Sequence, residues 1–358
     1  MKRLFFFLVL LLSITSLVYA QWEFFEHRYK YKLSDVLRAD RFVKKDIYWE
    51  GYRKGKLVGY VFLSKDLTGD LLGYSGKHME TLIGMDTEGR ITGVKVIYHS
   101  EPIVLIGLKE DNYKRFIKQY PGKSIRSPLK LGKDISMDAI TGATVTAMVQ
   151  NAIIAGSARK VASKVGILKV REAKKKRKLS TRYVRMTWKE LLREGAVKNL
   201  RISYSDLGLK GDEIYLDLYF GLVVPPSIGR NVLGQRSYRD IMGRLKGGES
   251  AIFVFGRGKG SFKGSGYVRG GIFDRFNIEQ NNKVFVFRDK DYRIMTEIAA
   301  NGAPEIKEGG VFIIRGKDFD PTMPFRFNLT LPFRVGARKI FKSFTVEYRL
   351  PERFLEAQ

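Results

Sequence analysis

Hydrophobic and polar positions change rhythm near the middle of the chain. In the first half, Leu57, Gly59, Val61 and Leu63 interleave with Val58, Tyr60 and Phe62, which predicts a strand buried on both faces. Glu80 to Met85 and Ile91 to Tyr98 flank the turn-forming run Asp86-Thr87-Glu88-Gly89 and predict a hairpin. Asn112 to Tyr120 sets Tyr113, Phe116 and Ile117 on one side of a short helix that Pro121-Gly122 closes. A longer helix is expected from Thr144, where Val145, Met148, Val149, Ala152 and Gly156 recur at helical spacing, with polar Gln150 and Asn151 between them.

In the second half the period becomes two. Ile214, Leu216, Leu218 and Phe220 alternate with Tyr215, Asp217 and Tyr219. The same rhythm runs through Phe325 to Leu331 and Phe344 to Leu350. It predicts antiparallel strands with one core face and one wet face. The apolar runs Ile252 to Phe255, Val284 to Phe287 and Val311 to Ile314 add strands, and Tyr238 to Leu245 reads as a short inserted helix. The expected fold class is α+β: an α+β domain followed by a mainly antiparallel β domain, a sandwich or open barrel. The expected divisions are a signal peptide at 1–20, an N-terminal extension at 21–49, an α+β domain at 50–168, a basic linker at 169–185 and a β-rich domain at 186–358.

The leader reading rests on Met1-Lys2-Arg3, the apolar run Leu4 to Leu17, and Val18-Tyr19-Ala20, which ends in a small residue suited to cleavage. The apolar run falls short of the roughly 20 residues of a spanning helix. An exported, periplasmic or otherwise extracytoplasmic chain, mature from about Gln21 and soluble or held peripherally at the cytoplasmic membrane, is therefore expected, with an uncleaved anchor as the rival.

Composition then removes chemistries. Without cysteine there are no disulfides, iron–sulfur clusters, thiolate zinc sites or c-type haem attachments. The three histidines, His27, His78 and His99, show no metal-binding spacing. Redox chemistry would therefore need an organic cofactor. The net charge is +28, which suits nucleic acid, an anionic membrane or an acidic protein. Export argues against nucleic acid. The basic run from Lys169 to Arg185 reads as a solvated linker, with adhesion to a membrane surface as the alternative.

Three separated motifs carry candidate chemistry. Asp138-Ala139-Ile140-Thr141-Gly142-Ala143-Thr144 places a hydroxyl beside two residues with almost no side chain. A phosphate esterified to Thr144 would lie at a helix N-terminus, where unpaired N–H groups favour negative charge. By itself the motif also reads as a threonine-rich cap, with Asp138 or Thr141 capping. Gly73-Tyr74-Ser75-Gly76-Lys77 marks either a tight connection or a close backbone approach to a ligand. In His99-Ser100-Glu101-Pro102, Glu101 is either an exposed loop carboxylate or a polar ligand contact. The glycines from 256 to 271 lack the phosphate-loop arrangement and read as hairpin glycines.

In this order the motifs resemble the FMN-binding domain shared by NosR-type flavoproteins and by flavin subunits of the Rnf and sodium-pumping quinone reductase complexes. The loop His99 to Gly107 favours the NosR version, since the Rnf-type loop reads Glu-Thr-Pro-Gly-Leu-Gly. Tyr204 to Gly211, Ser261 to Gly271 and Phe319-Asp320-Pro321 resemble landmarks of the NosR extracytoplasmic region. The resemblance implies FMN held covalently as a phosphoester on Thr144, with Asp138, Thr141, Gly142 and Ala143 completing the attachment motif. It places Gly73, Tyr74, Ser75 and Gly76 close to the flavin, and Glu101 in polar contact with it. Thr144 would be an attachment point, with no catalytic acid or base. The implied role is electron transfer supporting nitrous-oxide reduction, as an electron carrier rather than a stand-alone enzyme. The implied partners are a flavin transferase, a membrane protein with an iron–sulfur or quinone-linked electron supply, and nitrous-oxide reductase. The family continues into membrane helices and cysteine-rich motifs that this sequence lacks, so the chain reads as an extracytoplasmic half or a truncated copy. Two other classes stay open: a non-redox sensor or assembly module for a membrane complex, and a basic peripheral membrane protein with a vestigial flavin motif.

Overall fold

The computed structural model describes residues 27–73, 77–101, 110–127, 129, 134–135, 144–169, 177–264, 267–268, 271–281, 283–336 and 338–356. The chain divides into two compact units, Met1–Leu129 with Ala139–Leu168, and Lys130–Asp138 with Lys169–Gln358. The architecture is mixed α+β, as the two rhythms predict.

The first unit is built on a six-stranded antiparallel sheet. Its strands are β1 (His27–Arg28), β2 (Arg41–Lys44), β3 (Trp49–Arg53), β4 (Lys56–Leu63), β5 (Glu80–Asp86) and β6 (Ile91–His99), in the order β1-β6-β5-β4-β3-β2. The sheet thus begins before residue 50, with β1 on one edge and β2 and β3 on the other. The expected hairpin is β5–β6. Its turn is closed by Asp86, whose carboxylate accepts the N–H groups of Glu88 at 2.9 Å and Arg90 at 2.8 Å. Gly89 supplies the left-handed conformation there, φ 86°.

One face of this sheet is covered by residues 33–37. Gly84 and Gly93 pair directly across β5 and β6, and the backbone of Val36 lies on them. A Cβ at Gly84 would stand 2.2 Å from the Val36 carbonyl oxygen, which instead accepts the Thr92 hydroxyl at 2.6 Å. Val36, Leu37, Val61, Leu82 and Ile97 form the core on this side. The other face carries helices α1 (Lys65–Thr68), α2 (Glu110–Ile117) and α3 (Thr144–Lys164). The second helix starts and ends earlier than its apolar stripe suggests, and Tyr120 is buried in the turn that follows. The third is buried on nearly every side, including polar Thr146, Gln150 and Ser157.

The second unit contains β7 (Lys198–Ser203), β8 (Ile214–Leu222), β9 (Ser250–Gly258), β10 (Phe276–Gln280), β11 (Lys283–Phe285), β12 (Tyr292–Ile294), β13 (Glu308–Ile314), β14 (Phe325–Val335) and β15 (Arg338–Tyr348). They form a five-stranded sheet, β12-β13-β9-β8-β7, and a four-stranded sheet, β11-β10-β14-β15. Aromatic rings join the inner faces: Phe220 stacks on Phe327 with centroids 4.3 Å apart, and Phe276 meets Phe312 edge-on at 4.9 Å. Rings so arranged bring large apolar area and favourable quadrupole geometry together. Of the two expected β architectures, this is a sandwich. Helices α4 (Trp188–Arg193) and α5 (Pro226–Arg244) accompany the sheets. The last corrects the short helix expected from Tyr238. It starts twelve residues earlier, at Pro226, where proline suits the first helical turn. Gly234, at φ 78° and ψ 158°, then breaks it into two pieces.

Two further expectations need correction. The outer face of β8 is not wet: Asp217 is 2% exposed and Tyr219 7%. Asp217 accepts hydrogen bonds from Asn199 at 2.7 Å, Arg257 at 2.8 Å and Tyr219 at 2.9 Å, while Trp188 packs edge-on against the Tyr219 ring. The basic run is not wholly a solvated linker either. From Arg177 onward it is strapped to the β-rich unit: Arg177 grips both oxygens of Glu352, Leu179 bridges Leu355, and Ser180 N–H donates to Phe354 O.

The Asp217 cluster generates a stability prediction. Burial by itself would raise the Asp217 carboxyl, but the bonds from Asn199, Arg257 and Tyr219 outweigh it and hold the group below the usual carboxylate range. On acidification the unfolded chain therefore takes up the proton first. The contribution is complete above the ordinary value of 3.8 and is lost as pH falls through the lower folded value. Thermal unfolding of the β-rich unit should show Asp217→Ala destabilised by about 2 kcal/mol at pH 7, because three donors lose their acceptor. Asp217→Asn should flatten the acid limb of the stability–pH curve. An Asp217→Ala variant as stable as the parent would contradict the assignment.

Candidate functional site

The first unit brings residues of two motifs together with the helix that follows the third. Strand β6 ends at His99, and the chain turns through Ser100 to Glu101. The Glu101 carboxylate is 1% exposed, which overturns the reading of an exposed loop acid. Its Oε2 accepts the hydroxyl of Thr146 at 2.6 Å, from the first turn of α3. On another side the backbone of Gly73 presses close, and a Cβ there would stand 2.3 Å from Oε1. Glycine is needed for this approach, whatever φ the residue adopts. Gly73, the carboxylate loop and the first turn of α3 therefore meet at one buried acid.

Each of these elements is held from behind. Gly73 N–H donates to Lys77 O at 2.9 Å and closes the turn. The His78 ring spans from Leu71 O at 2.8 Å to the Ser64 hydroxyl at 3.0 Å, with burial lowering its pKa. His78 is thus a satisfied core histidine. Ser64 Oγ in turn accepts the Thr81 N–H at 2.8 Å. Leu82 faces the Val36 cluster, so Thr81 beside it faces the helices. There Gln150 donates to the Thr81 hydroxyl at 3.0 Å and accepts the Tyr113 hydroxyl at 2.6 Å. Below the carboxylate loop, His99 stacks on His27 with centroids 4.8 Å apart and meets Tyr113 edge-on at 5.6 Å. Burial and then the charge of Glu101 push the Tyr113 hydroxyl well above its usual range, so it stays a proton donor.

Of the residues expected at the site, the structure juxtaposes Gly73 and Glu101 and starts α3 at Thr144. Asp138, Thr141, Gly142, Ala143, Tyr74, Ser75 and Gly76 lie outside the described residues, as does the Thr144 side chain. Sequence reasoning assigned no site role to Thr146, Gln150, Tyr113 or Thr81. Gln150 carried a usable signal, because a polar residue inside an apolar helical stripe is either a surface position or a buried hydrogen-bonding one.

The donor set suits a flavin that carries a phosphate. The helix of 21 residues beginning at Thr144 offers first-turn N–H groups that have no intrahelical partner. Beside it, the close-packed Gly73–Glu101 wall presents backbone and carboxylate. Among the described residues no group of three or more His, Asp or Glu could hold a metal ion, and no helix is long and apolar enough to cross a membrane.

Comparison with known proteins agrees with this geometry. The FMN-binding domain family matches residues 73–156, a span that opens at Gly73 and contains Glu101, Thr144 and Thr146. The chain is 35% identical over 325 residues to "Regulatory protein NosR" of Pseudomonas aeruginosa and 36% identical over 327 residues to that of Stutzerimonas stutzeri. Each alignment covers 84% of this chain and 45% of the relative. "Protein NirI" of Paracoccus denitrificans is 28% identical over 326 residues, covering 87% of this chain and 46% of that protein. The chain thus spans under half the length of the curated relatives it matches. With the domain, the motif geometry and these relatives in agreement, the chain belongs to the NosR-type FMN-binding proteins.

Proposed function

We propose that the chain carries FMN as a phosphoester on Thr144 and works outside the cytoplasm as an electron-transfer flavoprotein of a respiratory membrane system. The observation that carries this reading is the convergence of Gly73 and Glu101, from two of the motifs, with Thr146, two residues past the third, inside the FMN-binding domain. Bound flavin supplies one- and two-electron transfer, while the protein sets its orientation and potential. Thr144 would hold the phosphate, with the start of α3 favouring its charge. Gly142 and Ala143 would leave room for the flavin transferase substrate. Asp138, Thr141, Tyr74, Ser75 and Gly76 would complete the cradle. Glu101, fixed by Thr146, would present a carboxylate to the flavin or its ribityl chain. A tether also prevents loss of the cofactor outside the cytoplasm, the destination that the Leu4 to Leu17 leader supports.

An exported flavin needs an electron source and a sink. A membrane protein with iron–sulfur or quinone-linked chemistry is the proposed donor, and nitrous-oxide reductase or its maturation the proposed beneficiary, by relation to the NosR proteins. Their printed name, "Regulatory protein", favours the second reading, a non-redox regulatory or assembly module. Flavin-dependent electron transfer separates the two.

After co-production with an exported flavin transferase, flavin fluorescence should survive denaturing electrophoresis. Thr144→Ala should abolish it without lowering the melting temperature, whereas Thr141→Ala should at most reduce it. Mass spectrometry that locates the FMN adduct on a peptide lacking Thr144 would refute the attachment.

Replacing a buried carboxylate beside the cofactor with a neutral amide makes an added electron easier to accommodate. Glu101→Gln should shift the flavin midpoint potential in the positive direction, on the order of tens of millivolts. Spectroelectrochemistry of the two proteins reads this directly, and an unchanged potential would remove Glu101 from the flavin's surroundings.

A further inference from the structure

The β-rich unit holds a cavity of about 160 Å³ that neither the flavin motifs nor the family match touches. Three chain segments wall it: the strap, through Ser180 and Arg182; the start of α5, through Pro225 and Ser227; and the C-terminal turn, through Arg353 and Phe354. Hydrogen bonds fix all three. Ser180 N–H donates to Phe354 O at 2.9 Å, tying the strap to the C-terminal turn. The Ser227 hydroxyl donates to Arg182 O at 2.9 Å and accepts Val184 N–H at 2.8 Å, tying the strap to the helix. Asn231 reinforces that second tie by donating to Val184 O at 2.7 Å. The cavity is therefore formed before any ligand arrives.

Its lining is cationic and contains no carboxylate. Arg353 shares its charge with Glu194 at 3.3 Å and lies over the Phe354 ring, which restrains the guanidinium. Arg182 has its backbone pinned, and among the described residues its guanidinium has no acidic partner. Two arginines and the Ser180 hydroxyl line a small cavity and match a tetrahedral oxyanion, which arginine binds through paired N–H···O bonds. That hydroxyl accepts Arg182 N–H at 3.3 Å and keeps its own proton to donate, while Ser227 serves to hold the wall. We propose that this cavity binds a phosphate group, either free inorganic phosphate or the monoester headgroup of a lipid. The lipid source suits the basic strap, since cations flanking a headgroup pocket add attraction to an anionic surface.

The test is calorimetric titration of the full chain with inorganic phosphate, at an ionic strength held constant with chloride. The expected result is saturable binding at one site. Arg182→Ala and Arg353→Ala should each weaken it at least tenfold, and Lys246→Ala, outside the cavity on the same unit, should leave it unchanged. Arg182→Lys keeps the charge and loses the fork. It should bind between parent and Arg182→Ala, and it serves if an alanine variant fails to fold. Vesicles of phosphatidylcholine containing either phosphatidic acid or phosphatidylglycerol, at equal charge, distinguish the sources. Retention on phosphatidic acid alone, released by free phosphate, assigns a lipid headgroup; phosphate binding without that retention assigns the free anion. Absence of saturable phosphate binding, or equal weakening by Lys246→Ala, overturns the proposal.

Discussion

A carboxylate taken out of water is costly unless charge-stabilising donors surround it, and removing one donor exposes that cost. Glu101 is such a group, 1% exposed and bonded to Thr146. Its placement constrains segments that are far apart in sequence. The Gly73 turn must supply a residue without a Cβ, β6 must end where it does, and α3 must bring a hydroxyl to its first turn. A shift in any of these would strand the acid or drive a Cβ into it. The buried polar chain behind them, Tyr113–Gln150–Thr81 with Ser64 and His78, fixes the same elements to the sheet. A fully satisfied polar network of this kind specifies one arrangement where apolar packing alone would tolerate several.

Much of this was legible because periodicity reports burial. The β5–β6 hairpin follows from apolar runs around Asp86 and Gly89, and α3 from the spacing after Thr144. Where the reading failed, a partner distant in sequence decided the outcome. Asp217 looks like a wet-face residue because alternation cannot show that Arg257, 40 residues further along and opposite it on β9, will meet it. Gln150 stays open between a surface and a buried position because Tyr113 and Thr81 are supplied by other elements. The helix beginning at Pro226 was half hidden, because Gly234 breaks its rhythm and left only the second piece readable. Among the site residues, Gly73 and Glu101 were recognisable from motif resemblance. Thr146 stood two residues past the motif, with no local signal that its hydroxyl would face an acid.

The two units express different physics. The first combines a sheet covered on both faces with a polar network that ends at the flavin motifs. The second is a sandwich whose facing sheets join through stacked and edge-on rings, and it also buries the acids of two ion pairs, Arg257–Asp217 and Arg315–Asp291. The basic strap belongs to the second unit. Its arginines are partly spent on Glu352, and Arg182 faces a cavity instead. Positive charge on this chain is thus not only a solvated excess but in places a built feature.

The central claim is that the Glu101–Thr146 bond joins the motifs into one flavin-accepting site. A double-mutant cycle tests it most directly, using Glu101→Gln, Thr146→Val and their combination. The readout is the fraction of chain that carries covalent flavin after co-production with the transferase, normalised to folded protein. If the two residues act through one shared bond, each single variant should lower that fraction and the pair should lower it little further. Fully additive losses, or no loss in either single variant, would show that the three motifs do not depend on this buried acid.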